Sequence, residues 1–199
     1  MLTLHRVRGV RAVPDGPLAP GHAVVVDGTR LAAIGPYEEL AAAYGTGAAA
    51  APPGVPGGAR VREWDGIVTP GRHEPDGAAL LEAAYHPDPR EADALGSEPL
   101  TGEALAALGR SEAGMPESRW GASARRGLQR LLAAGTTSLT GPFTRPAVRT
   151  AVRRSGLPER PGPDPRPLTV GGPATFAILA DDGTALATVV SGRLVHRRH

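Results

Sequence analysis

Lysine, asparagine and cysteine are absent from this 199-residue chain. Without cysteine there is no disulfide framework, no thiolate metal site and no thiol nucleophile. Without lysine, all 22 basic side chains are arginines, scattered among 20 acids for a formal charge of +2. Such mixing argues against a nucleic-acid surface, which gathers its cations into a patch. Aromatic residues make up only 4%, too few for a base-stacking platform. No run of about 18 apolar residues and no signal-peptide pattern occurs, so the expectation is a soluble cytoplasmic protein with no membrane and no nucleic-acid partner.

What the chain has in excess is turn-formers: 21 prolines and 27 glycines, with proline at about twice its usual roughly 5%. Much of the chain is therefore turn or loop. Leu2 to Val13 alternates as a half-buried strand and then becomes irregular, and Pro14 to Pro17 is a turn. HAVVVD (His22 to Asp27) reads as a strand, turned by Gly28-Thr29 and paired back by Arg30 to Ile34. Pro36 opens a short helix, Tyr37 to Tyr44, with Glu38 and Glu39 at its positive end and Gly45 as its stop. Gly45 to Gly57 is low complexity and reads as a loop.

The stretch Gly58 to Gly71, GARVREWDGIVTPG, then combines a strand (Arg60 to Trp64), an Asp65-Gly66 turn and a second apolar pair, Ile67 and Val68. Asp-Gly between apolar flanks is a strong hairpin signal. Pro70 ends the strand, because it has no N–H to give a ladder. Helical segments are expected within Ala78 to Tyr85 and at Thr101 to Leu108. The best helix is Glu117 to Ala134, with Ser118 as its cap and Trp120, Ala124, Leu128, Leu131 and Leu132 on one face. Gly121 and Gly127 each weaken it by about 1 kcal/mol relative to alanine. Thr136 to Thr140 is β-prone, Ala147 to Arg154 a short helix, and LPERPGPDPRPL (Leu157 to Leu168) an extended linker. Ala174 to Ala180, Leu186 to Val190 and Arg193 to His196 read as three strands.

Three pieces, in order, resemble the amidohydrolase superfamily of metal-dependent hydrolases. AVVVDGTRLAAIGPYEELAAAY followed by VREWDGIVTPG resembles the opening of the imidazolonepropionase and aminodeoxyfutalosine deaminase group. WGASARRGLQRLLAAGTTSL resembles that group's first barrel helix and the strand after it. GPATFAILADDG with ATVVSGRLVHR resembles the strands that return to complete a composite β-sandwich. The resemblance implies an α+β fold, a mainly β composite sandwich built from both termini with a small helical insertion in place of the barrel. Its parts would be 1–71 (N-terminal half-sandwich), 72–156 (helical insertion, a barrel remnant), 157–168 (Pro-rich linker) and 169–199 (C-terminal half-sandwich). A complete (β/α)8 barrel alone takes roughly 250 residues.

The same resemblance implies hydrolysis of non-peptide C–N bonds by a metal-bound hydroxide. The family's first barrel strand carries a His-x-His pair, which strand alternation puts on one side. Counting on from Thr69-Pro70-Gly71, that pair falls at Asp76 and Ala78, and alanine ligates nothing. No histidine lies between His86 and His196 to supply later ligands, and a carboxylated lysine is excluded. The chain therefore reads as a non-catalytic relative, with no cofactor, acting through protein association: a homodimer or a complex with a full-length amidohydrolase. Its interface candidates are Trp120, Leu128, Leu131 and Leu132, a stripe that loss of the barrel would uncover.

The alternative is an active, deaminase-like hydrolase using a non-standard site around residues 73–93. That stretch holds His73, Glu74, Asp76, His86, Asp88, Glu91 and Asp93. With His73, Asp76 and His86 as metal candidates, it would take a divalent ion such as zinc. Mixed charges among prolines otherwise form a solvated loop. His196 and His199 read as an exposed tail. Any link to menaquinone synthesis rests on the resemblance alone.

Overall fold

The computed structural model describes residues 2–45, 58–112, 114–162 and 166–198. In chain order its elements are β1 (Leu2–Arg6), β2 (Gly9–Val10), β3 (Ala19–Pro20), β4 (His22–Asp27), β5 (Arg30–Pro36), α1 (Tyr37–Tyr44), β6 (Arg60–Glu63), β7 (Ile67–Thr69) and β8 (Arg72–Glu74). There follow α2 (Gly77–Glu82), a 3-10 turn (Pro89–Glu91), α3 (Ala92–Leu95), α4 (Gly102–Arg110), α5 (Glu117–Ala133), β9 (Thr136–Leu139), α6 (Pro146–Ser155), β10 (Phe176–Leu179), β11 (Ala185–Val190) and β12 (Arg193–Arg197). The fold is α+β, with no closed barrel among the described residues. Two compact units divide the chain: residues 1–72, 133–137 and 164–199, and residues 73–132 and 138–163.

The first unit is built from two sheets, ordered β5-β4-β1-β6 and β12-β11-β10-β7-β2-β3. Both chain ends contribute to the second sheet, because β7 pairs antiparallel with β10 (Ile178 opposite Val68). Branched aliphatic side chains and one aromatic ring fill the core, with Val24, Leu31, Val68, Ile178 and Phe176 fully buried. The β4–β5 hairpin and α1 form where the sequence places them, and Gly45 closes α1 in the left-handed region at φ 64°. Position 45 thus uses glycine's freedom from the Cβ penalty.

The Asp65-Gly66 turn does not make a hairpin. β6 pairs parallel with β1, while β7 pairs parallel with β2. Segments 2–10 and 60–69 therefore run side by side and change sheet together. Trp64 N–H donates to Arg6 O and Arg8 N–H to Gly66 O, both across this crossing. A Cβ at Gly66 would lie 2.6 Å from Leu179 O, so close backbone approach explains this glycine better than turn chemistry does. Arg8 fixes the crossing from outside, with Asp181 oxygens at 2.8 and 2.6 Å and Asp65 at 3.2 Å.

Two smaller expectations are also revised, and the segment expected as a linker has hydrogen bonds at its ends. α5 starts at Glu117, so Ser118 lies inside the helix rather than capping it. His196 sits half-buried within β12 rather than on a free tail. The segment 157–168 is held at both ends: Leu139 N–H donates to Pro158 O, Arg160 N–H to Leu139 O, and Leu168 N–H to Ala12 O. Most of the low-complexity loop (46–57), part of the Pro-rich segment (163–165) and His199 lie outside the described residues.

Candidate functional site

The second unit holds the 73–93 stretch. β8 pairs with β9, Thr140 N–H donating to Glu74 O. The strand ends at Glu74, where Pro75 follows, and α2 begins at Gly77. Positions 76 and 78 therefore never lie on a strand. Asp76 is the exposed residue before the helix, its side chain making no cap hydrogen bond, and Ala78 is in the first turn. The alternation that would aim residues i and i+2 at one metal is absent here.

His73 projects from β8 with Nδ1 2.9 Å from Ser138 Oγ and Nε2 2.9 Å from Thr140 Oγ1. A neutral imidazole has one N–H and one lone pair, so one hydroxyl accepts and the other donates. Both ring nitrogens are thereby occupied. Ser138 on β9 and Thr140 just after its end supply the two partners, which the sequence reading of TTSLT as merely β-prone did not find.

His86 is buried at 4% exposure. Its Nε2 lies 2.9 Å from Leu80 O, an acceptor only, so Nε2 carries the proton and donates. Its backbone N–H donates to Ser123 Oγ on α5 at 2.9 Å. Its Nδ1 is buried with no hydrogen-bond partner among the described residues. Burial lowers the His86 pKa, the Leu80 carbonyl opposes that, and the Arg130 and Arg126 charges lower it further.

The carboxylates nearby serve structure. Asp88 caps the 3-10 turn: its side chain accepts from Arg90 N–H at 3.0 Å, and its own N–H donates to Glu91 Oε2 at 2.9 Å. Arg126 stands 3.3 Å from Asp88 and donates to His86 O at 2.8 Å. Glu91 accepts from Arg119 at 2.6 Å and from the Tyr85 hydroxyl. Burial pushes the Glu91 carboxyl up, but the hydrogen bonds from Tyr85 and Asp88 and the Arg119 charge outweigh it and hold the pKa below the usual value. Asp93 is exposed on α3. Among the described residues no three His, Asp or Glu side chains form a group able to hold a metal ion.

The stripe expected as an uncovered interface is covered within the chain. Trp120, Leu128 and Leu132 are 5%, 3% and 8% exposed, and Leu131 is half-buried. The cause is α5 packing tightly on its neighbours in the same unit. A Cβ at Gly127 would lie 2.6 Å from His86 Nε2 and 2.7 Å from Leu81 Cδ2, and one at Gly121 3.3 Å from Ala147 Cβ. Arg145 stacks 4.1 Å over the Trp120 ring. The two glycines that weaken α5 locally are what let it approach these partners.

Residues 23–45, the β4–β5 hairpin with α1, match the family model of the imidazolonepropionase-like composite domain of bacteria. This agrees with the resemblance read from the sequence. A search of curated proteins finds no match. Similar solved structures include the A. niger ochratoxinase (13% identity, TM-score 0.47, covering 79% of this chain and 29% of that one). An adenosine deaminase from Xanthomonas campestris with bound zinc is similar at 15% identity and TM-score 0.49, over 78% and 32%. A triazine hydrolase variant is similar at 18% and 0.47, over 78% and 34%. The chain thus spans about a third of the length of the solved structures it matches.

Proposed function

We propose that this chain is a composite-domain relative of the imidazolonepropionase and aminodeoxyfutalosine deaminase group that has no hydrolase activity of its own and acts by associating with protein, either a second copy or a full-length amidohydrolase. The observation that carries the reading is the commitment of His73 together with the early end of its strand. His73 gives both ring nitrogens to Ser138 and Thr140, and the strand that should carry a His-x-His pair stops at Glu74. A metal would have to displace existing hydrogen bonds and would find Ala78 at one ligand position. Association is inferred because, among the described residues, no metal-ligand set gives the chain a hydrolytic centre to act through. With the α5 stripe buried, that contact uses another face.

A second reading, a hydrolase with a non-standard site at 73–93, has one observation in its favour: the unpartnered, buried Nδ1 of His86. A turnover assay separates the two. The purified chain, with and without added zinc, is expected not to deaminate aminodeoxyfutalosine or open imidazolonepropionate. Turnover lost on His86→Ala or His73→Ala overturns the non-catalytic reading. Sedimentation tests association: a chain that stays monomeric, alone and beside a full-length amidohydrolase, removes it.

A further inference from the structure

We infer that the sandwich unit carries a binding site for a small oxyanion, a phosphate or carboxylate group, held by the Arg62 guanidinium in the cavity beside His5. This inference is independent of whether the helical unit has catalytic chemistry. The cavity, about 200 Å3, is lined by Thr3 and His5 of β1, Val26 and Gly28 at the end of β4, Arg62 of β6, and Val189, Gly192 and Leu194 of β11, the following turn and β12. It opens between the two sheets where their edge strands β6 and β12 lie. Its size falls below the roughly 300–1,000 Å3 of pockets for drug-sized ligands, which suits a small ion or a single acidic group.

The register places Arg62 beside His5 on the neighbouring strand. Arg62 Nε is buried and has no hydrogen-bond partner among the described residues. Among those residues Arg60, Arg62 and Arg197 also make no ion pair, and the charges that act on Arg62 are those of the two further arginines, Arg60 and Arg197. Burial and these two cations lower the Arg62 pKa. A half-buried guanidinium without a counter-charge is costly, and a fork of N–H donors fits an oxyanion in two-point fashion.

The rest of the cavity wall is preorganised. His5 Nδ1 accepts from Trp64 Nε1 at 3.1 Å, so the neutral ring carries its proton on Nε2. Trp64 lies parallel to the His5 ring with centroids 6.2 Å apart and Phe176 meets it edge-on, while Arg197 lies 5.6 Å over Trp64. Gly28 and Gly192 bring two turns together so closely that a Cβ at Gly192 would lie 1.7 Å from Gly28 O. An inward charge on an edge strand can instead serve only to discourage sheet-to-sheet association, a role that needs no bound anion.

The test is calorimetric titration of inorganic phosphate, and separately of acetate, into the full chain at constant ionic strength set with sodium chloride. Arg62→Met is compared with Arg153→Met, which removes an exposed arginine on α6. Expected is saturable binding in the wild type and in Arg153→Met, weaker by roughly tenfold or more in Arg62→Met, as loss of a charged hydrogen bond implies. Arg62→Met should melt no lower than the wild type in chloride alone. The Arg62 Nε–H resonance of the wild type should shift in the same titration, a readout that needs no variant to fold. Response to phosphate alone assigns a phosphoryl ligand, and response to acetate as well admits carboxylates. Equal affinity in the two variants, or no response beyond that to chloride with an unmoved Arg62 resonance, overturns the site.

Discussion

His5 and His86 are buried to the same degree, 3% and 4% exposed, in two different kinds of interior. His5 lies in the sandwich unit among aromatic and branched aliphatic groups, fixed by Trp64 and Phe176. His86 lies in the helical unit, tied to Leu80 O and Ser123 Oγ and ringed by arginine–carboxylate contacts. The sandwich is held by pairing between strands distant in sequence, as Val68 with Ile178. The helical unit depends more on side-chain hydrogen bonds, several made by the residues that invite a metal-site reading. A histidine among carboxylates is thus a site only if its nitrogens are free, and those of His73 are taken.

The comparison is broken most severely by cutting the sandwich. A fragment 1–158 lacks β10, β11 and β12, leaving β7 without its antiparallel partner and removing Phe176, Ile178 and Val189 from the core. No cooperative melting transition of the sandwich is expected by calorimetry. A soluble fragment with a sharp transition would show that the N-terminal strands stand alone.

A smaller effect sharpens the contrast between the histidines. Burial, with Arg62 adding to it, lowers the His5 pKa to about 4. An unfolded histidine takes its proton near pH 6.5, so the contribution of neutral His5 is complete above that pH. It is lost as pH falls toward 4, on the order of 3 kcal/mol in all. Urea unfolding between pH 7 and 4.5 should show a steeper loss for the wild type than for His5→Gln. Equal slopes would mean that His5 titrates normally.

The mildest test uses glycine. Helix propensity alone makes Gly→Ala in α5 stabilising by about 1 kcal/mol. At Gly127 the new methyl meets His86 and Leu81, so Gly127→Ala should instead cost about 1–3 kcal/mol. At Gly109 of α4 an added methyl would have nothing within 4 Å, and Gly109→Ala should gain up to about 1 kcal/mol. Chemical denaturation of the two variants reads the difference in sign.

What the sequence showed follows the range of the forces involved. Alternation and turn chemistry are local, so the β4–β5 hairpin and α1 with its Gly45 stop were legible, and so was the apolar face of α5. The destination of a strand is not local: Asp65-Gly66 has the chemistry of a hairpin, yet the strands on either side of it join different sheets. Ser123, Ser138 and Thr140 carry no motif, and they become partners of His86 and His73 only once α5 and β9 are in place. Likewise the Arg62 cavity needs β1, β4, β6, β11 and β12 assembled before it exists.

The central claim, that the histidines of residues 73–93 are structural, is tested most directly by the metal content of the chain. The protein is purified without chelator, dialysed against zinc and then against metal-free buffer, and analysed by elemental mass spectrometry. The account predicts well under one equivalent of any divalent metal, unchanged in His73→Ala and His86→Ala. One equivalent of zinc or iron, lost in either variant while the fold persists, would contradict it.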